Sequence, residues 1–448
     1  MSKNSNLIFF SLVSATGGFL FGFDTAVISG TISFVRDQFA LSSLWEGWFV
    51  GSALLGCIIG VAFTGFLADQ FGRKPTLIFS AILFFISALG CMIAENLTSL
   101  VAYRLIGGIG VGIASLSSPL YISEISRPDI RGRLVTLYQL AITIGILTAY
   151  FSNAFLLSVS ITEHEVWRNM FGAEMLPALI FLILLFFIPR SPRWLLAKNR
   201  EAEARSVLAG ITASSTIDKE VTDIKDVLSK EEGTLKDLWE PRIRTALFIG
   251  IILAVLSQFS GINAIIYYGP RIFEEAGFNT GNALNGQVII GFVNVLFTLI
   301  AIWKIDSLGR RFLLLSGCAM MLLMHTTIGF LFFTGNASGI LLLIFITLFI
   351  AAFAFSYGPV VWTLIAEMYP TKIRGRAMSV ATLALWVGNY IIGQVVPWML
   401  EVLKPAGTFW IFAITFVPAI LIIKFLVPET KGKSLEDIER FWMAKTNR

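Results

Sequence analysis

The chain has 448 residues, 56% hydrophobic and only 14% charged, with a mean hydropathy of +0.78. A soluble protein carries charge on roughly a quarter of its residues, so a soluble globular class is excluded and a polytopic membrane protein is indicated. The net charge of +5 does not point to nucleic acid, because the basic residues fall in alternate loops rather than in one patch.

The N-terminus, MSKNSN, runs straight into an apolar segment too long for a signal peptide and without a cleavage site, so it is expected to stay as a first span. Runs of about 20 apolar residues, the length that crosses ~30 Å of hydrocarbon as a helix, begin near residues 7, 47, 75, 98, 132, 167, 243, 284, 311, 338, 376 and 407. About twelve spans follow. Outer-membrane barrels are excluded, since their strands are shorter and alternate every second residue. The first span, GFLFGFDTAVISG from Gly18 to Gly30, places Asp24 in lipid, where a carboxylate costs roughly several kcal/mol unless neutralised or paired. Cys57, Cys91 and Cys318 all lie inside apolar runs, which reads as buried small hydrophobes rather than a disulfide framework or metal site.

Further along, Arg104 opens the fourth span, YRLIGGIGVGIA, whose small residues allow close packing. Its GGIGVG stretch, Gly107 to Gly112, has no preceding strand and is not a dinucleotide fingerprint. Gln139 lies in the fifth span, and Glu174 in the sixth, FGAEMLPAL. From Pro189 to Arg242 the chain turns charged, with helical periodicity in KNREAEARSVLAGI and TIDKEVTDIKDVLSKEEG, and is read as short amphipathic helices under the membrane. The seventh span, LSQFSGINAIIYYGP, carries Gln258, Gly261 and Asn263 and ends at Gly269-Pro270. The later spans add Asn294, His325, Gly358-Pro359 before Trp362, and Trp386 with Asn389.

Arg73 and Lys74, Arg127 with Arg131 and Arg133, Arg310 and Arg311, Lys372 with Arg374 and Arg376, and the C-terminal tail are basic, whereas loops such as AENLTS and SITEHEV hold few basic residues or none. This positive-inside pattern puts both termini in the cytoplasm. The halves also repeat each other: ADQFGRK is answered by IDSLGRR, SEISRPDIRGR by AEMYPTKIRGR, and IPRSPR by VPETKG. Three matches in register indicate two bundles related by an axis along the membrane normal, with a ligand site expected between them near the midplane. The expected domains are an N-terminal six-helix bundle (1–188), a cytoplasmic helical linker (189–242), a C-terminal six-helix bundle (243–427) and a cytoplasmic tail with a short helix (428–448).

The motifs GFDTAVISG, GFLADQFGRK, YRLIGGIGVGIASLSSPLYISE, RGR, SPRWL, QFSGINAIIYY, DSLGRR, SYGPVVW, the AE…RGR block and PETKGKSLEDIE together resemble the sugar porter branch of the major facilitator superfamily over essentially the full length. The chain is especially similar to bacterial proton-coupled symporters of the D-xylose type. The fold this implies is an all-α membrane protein of twelve transmembrane helices in two six-helix bundles, with short cytoplasmic helices.

The resemblance implies that Asp24 and Arg104 approach one another inside the N-terminal bundle. An acid beside a base explains how either is tolerated in lipid. Because a carboxyl's proton affinity responds both to burial and to a neighbouring cation, a change in their separation would take up or release a proton. The alternative is a permanent structural ion pair. Glu174 is a second candidate acid, ranked below Asp24, and His325 reads as a packed core residue rather than a proton relay. Gln139, Gln258, Asn263, Asn294, Trp362, Trp386 and Asn389 match sugar-contacting or pocket-lining positions of the family, Phe21 more weakly; amides suit a polyol because each offers two donors and an acceptor. The bland reading is amides that staple helices together. Tyr267 and Tyr268 are expected to close over the sugar from outside, and Gly358-Pro359 to form an inner gate, against the alternative of ordinary packing and a kink.

Asp69 with Arg73, Glu124 with Arg131, and Glu367 with Arg374, together with Asp306 and Arg310, are expected to form cytoplasmic charge networks, unless they only anchor topology. Arg190 stands where the family's PESPR motif has glutamate, while Glu429 keeps that role in the second half; a weakened inner clamp and a bias toward the inward-facing state are expected. The sugar site also departs from the family at Ser257, Leu385 and Ile146. The expected activity is proton-coupled transport of a monosaccharide, pentose or hexose, by alternating access. A facilitative uniporter and a non-transporting sugar sensor are the alternatives. No enzymatic activity and no cofactor or metal are expected. The expected partners are a monosaccharide, a proton and the bilayer of the inner or plasma membrane, without nucleic acid, and the expected state is monomeric.

Overall fold

The structure, a computed structural model, describes residues 3–127, 130–160, 165–212, 214–229, 237–369 and 373–431. The expected short helix of the C-terminal tail lies outside them. The helices in chain order are α1 (Lys3–Phe39), α2 (Ser43–Phe71), α3 (Arg73–Ile93), α4 (Leu97–Ile125), α5 (Arg131–Val159), α6 (Val166–Gly172), α7 (Met175–Phe186), α8 (Pro192–Ala197), α9 (Glu201–Ile211) and α10 (Ile217–Ser229). They continue with α11 (Pro241–Gln258), α12 (Ile262–Glu275), α13 (Thr280–Leu308), α14 (Arg310–Phe333), α15 (Gly339–Phe355), α16 (Tyr357–Met368), α17 (Arg374–Val402) and α18 (Lys404–Phe425). Twelve candidate membrane spans result, starting within a few residues of the positions read from the sequence.

Twelve spans need more than twelve helices because three are broken. The sixth is divided into α6 and α7 at Ala173-Glu174, the seventh into α11 and α12 around Gly261, and the tenth into α15 and α16 at Ser356. The last break falls two residues ahead of the Gly358-Pro359 pair. Proline has no N–H and its ring crowds the carbonyl four residues back, so it fits most readily in a helix's first turn; Pro359 is the third residue of α16. Gly269 and Pro270, expected to end the seventh span, instead lie inside α12, which continues to Glu275.

The repeat seen in the sequence has a local cause at the α2–α3 and α13–α14 turns. Each is made by a single glycine with positive φ, Gly72 at 93° and Gly309 at 90°, a conformation L side chains rarely adopt. Elsewhere side chains supply the starts: Asn96 accepts from the Ser99 N–H at 2.9 Å, and Asn279 from that of Asn282 at 2.8 Å, satisfying otherwise orphaned helix donors.

The residues form two compact units. The first comprises Met1–Ile28, Leu55–Ser152 and Ser160–Glu231. Within it α1 and α5 cross at backbone contact: a Cβ added at Gly22 would stand 2.0 Å from the Ile142 carbonyl oxygen, and one at Gly145 2.0 Å from that of Phe19. Helices α8 to α10 form a layer tied by Arg205–Asp218 and Lys225–Glu201, each at 2.6 Å. The start of α1 reaches this layer, where Asn6 Nδ2 donates to the Gly210 carbonyl at 3.1 Å.

The second unit comprises Ser29–Leu54, Asn153–Val159 and Glu232–Arg448. Its packing pairs α14 with α18, α11 with α17, and α13 with α15. The beginning of α2 packs on α17, where a Cβ at Gly47 would lie 2.2 Å from the Gln394 carbonyl oxygen. Many large apolar side chains, among them Phe63, Phe66, Phe151, Trp303 and Phe333, are exposed. In water such a surface would aggregate; against lipid it is the expected covering.

Candidate functional site

In the first unit the acid of α1 meets the base of α4. Arg104 Nη1 donates to Asp24 Oδ1 at 2.8 Å, with the two residues 2% and 3% exposed. Small residues make the approach possible: a Cβ at Gly107 would stand 2.4 Å from Ser87 Oγ and 3.4 Å from Asp24 Oδ1. The Arg104 guanidinium lies 5.4 Å from the ring centroid of Phe171, and its Nε has no hydrogen-bond partner among the described residues. Glu174, also fully buried, sits at the α6–α7 break, near enough for its charge to act on both Asp24 and Arg104. Its Oε1 is likewise without a partner among the described residues. One guanidinium balances one carboxylate, and an uncompensated buried charge is costly. The first unit thus buries two acids, Asp24 and Glu174, and the base Arg104. Phe21 on α1 and Gln139 on α5 belong to the same unit and are half-buried.

The second unit gathers amides around the broken seventh span. Asn263 Nδ2 donates to Gln258 Oε1 at 2.6 Å across the break, and Gln258 Nε2 donates to Ser257 Oγ at 2.8 Å. The serine at 257 thus orients Gln258. One turn past Asn263, Tyr267 donates its hydroxyl proton to Asn389 Oδ1 of α17 at 3.0 Å, while the Tyr268 hydroxyl donates to the Gly393 carbonyl. A Cβ at Gly388 would touch Gln258 at 3.5 Å, so α17 delivers Asn389 to the same region. Trp386 and Leu385 are buried on α17. Asn294 is buried on α13, and Trp362 half-buried on α16, which packs against α13.

At the helix ends Arg73 is the hub of the first unit. It pairs with Glu124 at 2.8 Å and Asp69 at 3.4 Å. Glu124 therefore meets Arg73 rather than Arg131: Arg73 is half-buried at the α2–α3 turn, whereas Arg131 opens α5 exposed; the second Glu124 oxygen accepts from Ser191 at 2.5 Å. In the second unit Arg310 pairs with Glu367 at 3.0 Å. Glu429 accepts from the backbone N–H groups of Arg310 and Arg311, each at 3.1 Å, neutralising the positive end of α14. At the corresponding place in the first unit Arg190 lies 5.1 Å from the Trp194 ring, and the start of α3 has no side-chain cap among the described residues. The side chains of Asp306 and Arg374 lie outside the described residues.

Other residues of consequence carry too little sequence signal to be noticed. Glu46, 1% exposed at the start of α2, accepts from Arg271 Nη1 with both oxygens at 2.6 Å. A charged residue near the end of an apolar run reads as a topology marker, so neither member stands out. Gln287 of α13, fully buried, donates to the Ile265 carbonyl at 3.1 Å in the space that Gly269 leaves open. It thereby ties α13 to the backbone of α12 one turn ahead of Pro270.

Twelve candidate spans with buried acids and a cluster of buried amides define a polytopic membrane protein, and the family it matches is one of transporters, not enzymes. The chain matches the family described as "Sugar (and other) transporter" over residues 10–442. It is 41% identical over 441 residues to the arabinose-proton symporter of Bacillus subtilis (strain 168), covering 98% of this chain and 95% of that one. It is 38% identical over 481 residues to the D-xylose-proton symporter of Escherichia coli (strain K12), covering 99% and 98%. Among solved structures, the partially occluded inward-open xylose transporter XylE from E. coli matches with a TM-score of 0.86 at 36% identity, covering 96% of this chain and 100% of that one. The chain belongs to the sugar porter family of the major facilitator superfamily and has its fold.

Proposed function

We propose that this protein carries a monosaccharide, a pentose or a hexose of the D-xylose or D-glucose type, together with a proton by alternating access in the plasma membrane, with both termini cytoplasmic. The observation that carries the reading is the buried Asp24–Arg104 pair with Glu174, a second buried acid, in the same unit. A purely structural pair needs one acid. Two acids sharing one base hold a proton that moves whenever the pair opens, since the carboxylate leaving the guanidinium must be neutralised in a low-dielectric interior. Asp24 is the acid that exchanges the proton, Arg104 its counter-charge, and Glu174 the neighbour that makes full ionisation unfavourable.

The sugar is held through the amides. Gln258 uses its acceptor on Asn263 and one donor on Ser257, which leaves Asn263 Oδ1 and the remaining amide protons for hydroxyl groups. Phe21, Gln139, Asn294, Trp362, Trp386 and Asn389 complete the proposed contacts, and Tyr267 and Tyr268 the outer closure. The relatives named above are symporters of arabinose and of D-xylose, which supports a small neutral sugar. Purified protein in liposomes tests this: an imposed inward proton gradient drives uptake of labelled D-xylose or D-glucose, and in intact cells sugar addition makes the medium more alkaline. Uptake that only equilibrates, without alkalinisation, would leave a uniporter. No uptake of any monosaccharide would overturn the transport reading.

A further inference from the structure

The seventh span breaks at Phe259–Gly261, between the two amides proposed to hold the sugar. Gly261 adopts φ +83° and opens α12, and the Phe259 N–H still bonds back to Val255 at 3.1 Å. A break leaves carbonyls without the helix donors they would otherwise meet, and lipid offers no substitute. Two side chains from other spans reach these carbonyls. Thr415 of α18 lies 3.0 Å from the Phe259 oxygen, but its single proton is shared with the Phe412 oxygen at 2.7 Å. His325 of α14 lies 2.8 Å from the Ser260 oxygen through Nε2. A carbonyl only accepts, so Nε2 carries the proton.

His325 is fully buried, enclosed by Phe349, Phe409, Phe412 and Phe416 with ring centroids at 4.2, 5.4, 5.8 and 5.9 Å. Its Nδ1 has no hydrogen-bond partner among the described residues. The aromatic packing holds the imidazole as a donor to the Ser260 carbonyl. The fit at the break is tight: a Cβ at Gly261 would stand 2.9 Å from Phe412 Cδ2 and 3.1 Å from His325 Nε2.

We propose that His325 is a positioning residue for the sugar site: it holds the Ser260 carbonyl and so fixes the relation between Gln258 and Asn263 on the two sides of the break. The proposal rests on the reading of these amides as sugar contacts. Three variants test it by reach and chemistry. His325→Gln keeps an amide donor near the place of Nε2, His325→Asn stops one bond short, and His325→Phe keeps an aromatic ring without a donor. In proteoliposomes His325→Asn and His325→Phe are expected to raise the KM for D-xylose or D-glucose about tenfold with kcat within twofold, while His325→Gln stays within twofold on both. A wild-type KM in His325→Asn and His325→Phe overturns the proposal, as does a His325→Gln variant as impaired as the other two. Hydrogen exchange provides an arm independent of substrate. Peptides covering residues 255–268 are expected to exchange faster in His325→Asn than in the wild type or His325→Gln, and equal exchange in all three overturns the positioning role. If the wild type carries neither sugar, the substrate reading fails while the exchange comparison still decides the role of His325.

Discussion

Replacing Asp24 with asparagine separates the charge of the buried pair from its shape. Asparagine keeps an Oδ1 where Arg104 Nη1 now donates at 2.8 Å, so the contact persists while the negative charge is lost. Removing one partner of a buried ion pair costs about 3–5 kcal/mol. The retained hydrogen bond and the nearby Glu174, free to ionise against Arg104, reduce the expected loss to about 2 kcal/mol, read as a lowered unfolding temperature in detergent. The effect on transport is larger in kind. One proton moving down ~100 mV supplies about 2.3 kcal/mol, enough for roughly 50-fold accumulation of a neutral sugar at about 1.4 kcal/mol per factor of ten. With no proton carried alongside the sugar, Asp24→Asn is expected to drop the accumulation ratio in energised proteoliposomes to about 1, while sugar exchange across the membrane continues. Asp24→Asn with Arg104→Gln should recover much of the lost stability and none of the accumulation. An Asp24→Asn protein that still concentrates sugar several-fold would refute the assignment of proton coupling to this pair.

Glu46→Gln removes the charge facing Arg271, which is itself only 13% exposed, and is expected to cost about 2 kcal/mol by thermal unfolding; Glu46→Gln with Arg271→Gln should cost less than either alone. Gly22→Val places a side chain against the Ile142 backbone and should abolish monodisperse folding on size-exclusion chromatography, whereas Gly132→Ala, at a position with open space around it, should be neutral. Arg190→Glu supplies at the start of α3 the carboxylate that Glu429 supplies to α14; a gain of about 1 kcal/mol in stability is expected, together with more outward-facing labelling of introduced cysteines, and no change in either measure would count against the clamp argument. Hydrogen bonds from Lys225 and Arg205 hold the Glu201 carboxyl below its usual range. A depressed native pKa means the α9–α10 link is present above the ordinary carboxylate range and lost as pH falls through the native value. Proteolysis of these helices should therefore accelerate as pH falls below the ordinary carboxylate range, and Glu201→Gln should remove that pH dependence.

Much of this architecture is legible from composition and short motifs. Twelve apolar runs fix the spans because lipid demands length and hydrophobicity together, and the glycine of each GR turn recurs because the same positive φ is needed in both halves. Asp24 and Arg104 announce themselves because charge in lipid requires a partner. What the sequence hides depends on which face of a helix meets which neighbour. Nothing local distinguishes Glu46 from a loop acid, or pairs it with Arg271 225 residues away. The exchange of Arg131 for Arg73 as partner of Glu124 follows from burial at a turn, which spacing does not encode. The break at Ser356 is displaced from Gly358-Pro359 because a proline ends the helix before it, not at it. Glu174 is visible as a buried acid, but the interruption of the sixth span beside it is not, since FGAEMLPAL reads as continuous helix with proline as its only warning.

The first helix is 37 residues long, about 56 Å at 1.5 Å per residue, against ~30 Å of hydrocarbon. It is therefore longer than the hydrocarbon is thick, and its N-terminal tip is bonded through Asn6 to Gly210 on α9. On the proposed coupling, a helix with Asp24 near its middle and an anchored tip would act as a lever: small rotations at Asp24 would become displacements at the α8–α10 layer. Force applied to that layer would in turn bear on the Asp24–Arg104 pair, which would give the short charged helices a mechanical hold over the coupling proposed for it.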